Sequence, residues 1–335
     1  MTIKVLMTPH LNDIGSAVSG IHTVIRKYFQ HLPQFGIELV DPDAITFDLR
    51  AAHAGITGGE AEICHCHGLY WCGDVPCDEW EWHVNSRVIE AIRNAKEITV
   101  PSVWVNETFK RDLRKPAHVI PHGVDWDEWQ HKEPNQGYVL WNKNRNNSDV
   151  VSNSILDILI PRFRDVTFVS TFTTPNLSKL PHNMWPNNFK IIETGGKTPY
   201  EQMKLYTQGA GVYLSTSKET FGISVLESLA SGVPVLGWDW GGNSQLVQHG
   251  VNGYLAKPGD VDDLCEGLNY CIKHRKVLGS NGRELAKQWT WQRACELVAG
   301  VYRLTMAEDV RPMKIPVELY QRDISGIQEL HQANV

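Results

Sequence analysis

No segment of this sequence is both apolar and long enough to cross a membrane. The longest apolar runs have the length of strands and are broken by Gly, Pro or charge. Low-complexity tracts are missing too, which excludes a disordered or fibrous chain. With 42% hydrophobic and 21% charged residues among 335, the composition is that of a folded protein with room for two domains. The opening "MTIKVLMTPH" reads as a first buried strand and not as a secretory leader, so the expected location is the cytoplasm.

Cysteine is scarce, and its number, 7, is odd; in a large chain without a leader this points to reduced thiols. Four of the seven (Cys64, Cys66, Cys72, Cys77) fall in "CHCHGLYWCGDVPC" beside His65 and His67, a density at which zinc must be considered. The spacing is not that of a Cys-x-x-Cys pair. Strand alternation also sends Cys64 and Cys66 to one face and the two histidines to the other, so core cysteines account for the stretch better. A strong charge of one sign is likewise lacking. The formal net charge is −6, and residues 1–130 hold 11 Lys and Arg against 18 Asp and Glu, which argues against a general polyanion binder. The basic cluster Lys110, Arg111, Arg114 and Lys115 could meet phosphate, but a solvated helix face explains it more simply.

What is present is an alternation of strand and helix patterns along almost the whole chain, the mark of parallel α/β sheets. "SGIHTVIRKYFQHL" puts Ile21, Val24, Ile25, Tyr28, Phe29 and Leu32 on one helical stripe, and "EICHCH", "EITVPS" and "HVIPHG" follow as strands. After the polar connector "QHKEPNQG" the rhythm starts again with "YVLW", "DVVSNSILDILIPRF", "DVTFVS", "NFKIIE", "PYEQMKLYTQGA" and "GVYLST". The expected organisation is a first Rossmann-like domain over 1–135, a second over 136–304, and a tail over 305–335 that returns to the first domain or serves an oligomer contact.

"KETFGISVLESLASGVPVLGW" carries the chemistry. "GVYLSTS" is a strand, "GISVLESLAS" a helix stopped by Gly232, and "GVPVLGW" a strand, together one βαβ unit. The loop after the first of these strands lies at the carboxyl edge of the sheet, where open α/β sheets bind ligands, and Glu219 sits in it. Glu227 projects from the helix about one turn past its start, and Gly222 lets a ligand approach the free N–H groups of the first turn. A diphosphate on those amides would have a carboxylate at each end, and carboxylates suit sugar and ribose hydroxyls. Two surface acids favoured by a helix N-terminus are the plain alternative for either residue alone.

Glu-x7-Glu in "ETFGISVLE", continued by "SLASGVPVLG", "GGNSQLVQHGVNGYL" and "KPGDVDDL", closely resembles the retaining GT-B glycosyltransferases of the family-4, group 1 type. "VSGIHTVIRKYFQHLPQFGIELV", "EICHCHG", "VPSVWVNETF" and "HVIPHGVDWDEW" extend the resemblance over about residues 3 to 304. It implies two Rossmann-like domains facing across a cleft, with a nucleotide diphosphate-sugar, a UDP- or GDP-sugar or a relative, held by the second and a hydroxyl acceptor by the first. Glu219 matches the acid on the donor sugar hydroxyls and Glu227 the acid on the ribose. The amides of Phe221, Gly222 and Ile223 match contacts to sugar and pyrophosphate, and Ser19 and Gly20 the loop over the phosphate. His67 matches the histidine beside the reacting carbon, and Lys143 and Arg145 the phosphate-neutralising cations.

Two departures stand out. The cations are two positions apart where the family has about five, and Gln245 follows the Gly-Gly pair where an acid is common, which bears on how that loop meets the nucleotide. No Asp-x-Asp metal signature stands in the expected place; the acids of "DWDEW" and "DVDDL" belong to interdomain and peripheral contexts, so neither metal nor cofactor is expected. The aromatic stretch after His67, with Tyr70, Trp71, Trp80 and Trp82, either lines the acceptor cleft through Tyr70 and Trp71 or packs on itself. The leading expectation is transfer to a saccharide, lipid-linked or small-molecule hydroxyl. Transfer to hydroxymethylated bases of DNA is opposed by the acidic first half, and an inactive nucleotide-sugar-binding partner is suggested by the altered cation pair.

Overall fold

A computed structural model describes residues 2–16, 19–54, 61–69, 79–130, 136–141, 150–151, 155–171, 184–192 and 199–307. Twelve strands among them form two sheets. The first contains β1 (Ile3–Thr8), β2 (Ile37–Val40), β3 (Leu49–His53), β4 (Ile63–His65), β5 (Glu97–Val100) and β6 (His118–Val119), in the order β2-β1-β3-β4-β5-β6. The second contains β7 (Tyr138–Leu140), β8 (Phe168–Ser170), β9 (Phe189–Ile191), β10 (Ala210–Ser215), β11 (Val235–Trp238) and β12 (Gly253–Ala256), in the order β12-β11-β10-β7-β8-β9. Every pairing is parallel, as crossover helices require. The central strands therefore lie under helices on both faces, and all six residues of β10, AGVYLS, are buried.

Each sheet reverses its strand order once, between β1 and β3 in the first and between β7 and β10 in the second. At such a reversal neighbouring loops leave the carboxyl edge in opposite directions and open a crevice. The loops that follow β1, β4, β10 and β11 carry the described candidate residues, so the topology alone collects them. The stripe read in the helix Gly20–His31 is buried at Val24, Ile25 and Tyr28 against β1, as its spacing requires. Cys64 and Cys66 fill a core with Val88, Ile92, Ile98 and Val105, and burial raises the Cys66 thiol well above its ordinary range. In the basic cluster Lys110 pairs with Glu107 and Arg111 with Asp112, an exposed helix face.

The expected boundary at residue 304 is corrected. The second domain ends with the helix Val261–Ala286, and the next helix, Trp291–Met306, already belongs to the first. Its apolar positions Trp291, Ala294, Cys295, Val298, Ala299 and Tyr302 recur at helical spacing and complete the core around Ile3, Val5, Met7 and Tyr28. Thr290 starts it cleanly, its side chain accepting from Arg293 N at 3.2 Å. Residues 308–335 lie outside the described residues.

The chain thus passes between the domains twice, and the passages touch: Val124 N donates to the Trp289 carbonyl at 2.8 Å. Gly123 makes this contact tolerable, because a methyl group there would come within 2.2 Å of Trp291 N and 2.4 Å of the Thr290 carbonyl carbon. Backbone on both sides cannot step aside as a side-chain end could. Gly123→Ala is therefore expected to cost about 1–3 kcal/mol of stability by overpacking, seen as a lowered urea midpoint with an unchanged slope.

Candidate active site

β10 ends at Ser215, and the chain turns across the carboxyl edge through Thr216–Gly222 into the helix Ile223–Ala230. Gly222 begins that helix with φ +94°, a conformation costly for any residue with a β-carbon, and no side chain caps the first turn. The N–H groups of that turn are thus not taken up by a capping side chain. The loop is fixed from its own domain. Trp141 Nε1 donates to Thr216 Oγ1 at 3.0 Å, and Gly242 N donates to the Glu219 carbonyl at 2.7 Å. The Gly-Gly pair is needed for space: a methyl at Gly241 would lie 2.2 Å from the Glu219 oxygen, and one at Gly242 2.2 Å from the Phe221 oxygen. Asn243, buried behind the pair, accepts from Ser215 Oγ at 2.9 Å and donates to the Ser215 and Trp238 carbonyls, tying the loops after β10 and β11 together.

Glu227 stands half-buried on the helix, near Tyr200 and the interdomain residue Asp125. Loss of water, and then the charge of Asp125, push its carboxyl up to about 8. Asp125 itself is held by Lys27 at 2.7 Å, which links the Gly20–His31 helix to this corner. Tyr213, beneath both acids, is raised by its burial first and then by Glu219.

From the other domain the Gly20–His31 helix points its start at the same place. Ser19 is its N-cap, accepting from His22 N at 3.4 Å and sharing a 2.6 Å bond with His22 Nδ1. A methyl group at Gly20 would rest 3.6 Å from Ile223 Cδ1. Two helix N-termini, one from each domain, therefore lie close together, each the end of a helix that favours an anion.

His67 lies beside the loop after β10, since its carbonyl accepts from Thr220 Oγ1 at 2.6 Å. Its ring stacks on His53 with centroids 5.2 Å apart, and its Nε2 shares a 3.0 Å hydrogen bond with His53 Nδ1. With Nε2 so engaged, only Nδ1 is left to bond a ligand. His122 continues the row, 5.8 Å from His67 and edge-on to Phe221 at 5.1 Å. His65 closes it from below, bonded to Thr99 Oγ1 at 2.7 Å and to the Tyr302 hydroxyl at 2.8 Å. Burial lowers the pKa of all four, reinforced by repulsion from neighbouring histidines at His53, His65 and His122: to about 4 at His67, to about 3 at His65, and well below the ordinary 6.5 at His53 and His122. At neutral pH His67 is an uncharged hydrogen-bonding ring, suited to a sugar hydroxyl and unable to neutralise phosphate.

The structure thus brings together Ser19, Gly20, His67, Glu219, Phe221, Gly222, Ile223 and Glu227. Lys143, Arg145, Tyr70 and Trp71 lie outside the described residues. Trp82 stands half-exposed on the helix Glu79–Arg93. Gln245, which stands where an acid is common, uses its Oε1 to accept from Val103 N at 2.9 Å, so the side chain reaches across to the first domain. Sequence reasoning missed His53, since the strand "LRAAH" carries no periodic signal, and it read His122 only as part of the interdomain approach. Among the described residues no group of three His, Cys, Asp or Glu has the arrangement of a metal site, and no helix is long and apolar enough to cross a membrane.

Residues 188–288 match the family model described as glycosyl transferases group 1. An uncharacterized glycosyltransferase of Methanocaldococcus jannaschii is 27% identical over 223 residues, 63% of this chain and 60% of that protein. The N-acetyl-alpha-D-glucosaminyl L-malate synthase of Bacillus anthracis is 35% identical over 74 residues, 21% of this chain and 19% of that one. The chain thus spans well under two thirds of these relatives. Among solved structures, sucrose-phosphate synthase from Thermosynechococcus elongatus superposes with a TM-score of 0.69 at 16% identity, covering 92% of this chain and all of that one. Anabaena HepE in complex with UDP-glucose gives 0.66 at 16%, covering 90% and 100%. The fold is GT-B, and its second domain carries a group 1 glycosyl transferase region.

Glu227 yields a pH prediction. Its folded pKa, about 8, lies above the ordinary 4.5, so the unfolded chain ionises first as pH rises, and the folded state loses stability between these values. In thermal unfolding across this range, Glu227→Gln should gain on wild type as pH rises from 4.5 and keep its advantage above 8.

Proposed function

We propose that the protein is a retaining, metal-independent glycosyltransferase that moves a sugar from a nucleotide diphosphate-sugar to a hydroxyl of a saccharide, lipid-linked or small-molecule acceptor. The observation that carries this reading is the closeness of two helix N-termini, one capped by Ser19 and starting at Gly20, the other without a side-chain cap and starting at Ile223, with Glu219 just before the second helix and Glu227 one turn inside it. A diphosphate between these helix starts receives backbone donors from both domains, and these stabilise the charge that grows on it as it departs. Glu227 holds the ribose hydroxyls. Glu219 accepts hydrogen bonds from the donor sugar, and neutral His67 bonds the sugar through Nδ1 near the reacting carbon.

In the reaction the bond from the anomeric carbon to the diphosphate oxygen breaks. The acceptor oxygen bonds to that carbon on the same face, and its proton passes to the departing oxygen. No side chain then has to act as a dedicated base, which suits a site whose histidines are neutral and whose acids are occupied by hydroxyls. Lys143 and Arg145 add positive charge to the diphosphate in this proposal. The free thiols Cys64, Cys66, Cys265, Cys271 and Cys295 fit a cytoplasmic site of action.

Thermal-shift titration with UDP-, GDP- and ADP-sugars tests the donor site, because a ligand of the folded state raises its melting temperature. One nucleotide class should stabilise the wild type in EDTA and lose most of its effect in Glu227→Ala. Glu219→Ala should lower turnover about ten- to hundredfold, the worth of a charge-assisted hydrogen bond made to the transition state. The anomeric configuration of the product, read by NMR, must equal that of the donor. Inversion, or variants that bind and transfer as the parent does, would sink the proposal.

A further inference from the structure

The segment Lys218–Phe221, which carries Glu219, is held from the opposite domain at both flanks. On one side Lys218 Nζ lies 3.5 Å from Glu81 Oε1, and both side chains are almost wholly out of water. On the other, Thr220 makes two hydrogen bonds into the first domain. Its hydroxyl donates to the His67 carbonyl at 2.6 Å, and its own carbonyl accepts from Ser102 Oγ at 2.6 Å. Gly68 is shaped to receive it: φ is +114°, and a methyl group there would come within 2.3 Å of Thr220 Cγ2. Two further contacts surround the same point. Gln245 Oε1 accepts from Val103 N at 2.9 Å, and Trp104 packs on Trp240 with centroids 4.6 Å apart. Residues 102–104 and 67–68 of the first domain thus grip the loops after β10 and β11 of the second.

We propose that Thr220 is a positioning residue, the pin of a clasp that fixes Glu219 in its working place only while the two domains are together. The carbonyl and the hydroxyl of Thr220 point into the other domain, so once the domains part the backbone one peptide bond from Glu219 loses these two anchors and keeps only those its own domain supplies at Gly241 and Gly242. Thr220 then links sugar contact to closure: an open enzyme binds the nucleotide through the second domain but lacks the acid in register, and an assembled one excludes water and has it. The clasp rests on the transferase reading for its purpose, but its existence does not depend on it.

Thr220→Val keeps the shape and removes the hydroxyl; Thr220→Ser keeps the hydroxyl. Amide hydrogen exchange followed by mass spectrometry reads the clasp without any substrate. In Thr220→Val, peptides covering 216–222 and 66–69 should exchange about fivefold faster, the worth of one hydrogen bond, while peptides from β1 and β10 stay as in wild type and Thr220→Ser stays protected throughout. Ser102→Ala, which removes the second bond from the other domain, should open the same two segments. In transfer assays Thr220→Val should lower kcat by a similar factor, with the affinity for UDP, used as the probe, within about twofold of wild type, and Thr220→Ser should restore kcat. Unchanged exchange at 216–222 and 66–69 in Thr220→Val, or in Ser102→Ala, would overturn the clasp whatever the activity. Faster exchange in a protein whose wild type transfers no sugar from any donor would leave the clasp standing and remove the transferase reading instead.

Discussion

The backbone from Glu219 to Phe221 is hemmed in by glycine. Gly241 and Gly242 press on it from its own domain, and Gly68 of the other lies against the Thr220 side chain, each at a distance where a single methyl group would collide. Such contacts trade conformational freedom in the unfolded chain for a fixed backbone course in the folded one. The carboxylate of Glu219, the amides after Phe221 and the carbonyl met by Ser102 all owe their direction to that course. Few side-chain interactions could hold a turn so tightly, because a side chain can rotate away and a peptide plane cannot.

The assembly of the first domain depends on the end of the described chain. Its sheet is built by residue 119, yet its core is filled by the helix Trp291–Met306, and the Tyr302 hydroxyl bonds His65 one position from Cys66 and two from His67. The chain therefore crosses twice, and the crossings lean on each other at Gly123. Two linked passages restrict relative motion more than one would. A cleft between domains so joined can close on a ligand without losing its register.

Four buried histidines give the cleft an uncharged resting state on the side of the first domain, and one acid with a raised pKa, Glu227, belongs to the second. Burial is the leading cause at every one of them. Uncharged rings in a water-poor wall strengthen whatever electrostatic contacts the facing helix starts make.

Much of this was legible from residues alone. Strand and helix alternation, strand-length apolar runs and the Glu219–Glu227 spacing follow from local periodicity, and local periodicity is written in the sequence. So is the core role of Cys64 and Cys66, because alternation along one strand decides the face. The return helix was misplaced because an apolar stripe states that a helix is buried and is silent about which core buries it. The partner of Gln245, Val103 N, lies 142 residues away and could not be read from its neighbours. His53, Ser102, Thr220 and Gly68 carry no pattern of their own; they matter through contacts across the cleft, such as the one joining residues 67 and 220, 153 positions apart. The sequence by itself determined the elements and the chemistry available, because those depend on neighbours within a few turns. The tertiary structure alone decided which donor met which acceptor between the domains, because that depends on how two independently patterned sheets are set against each other.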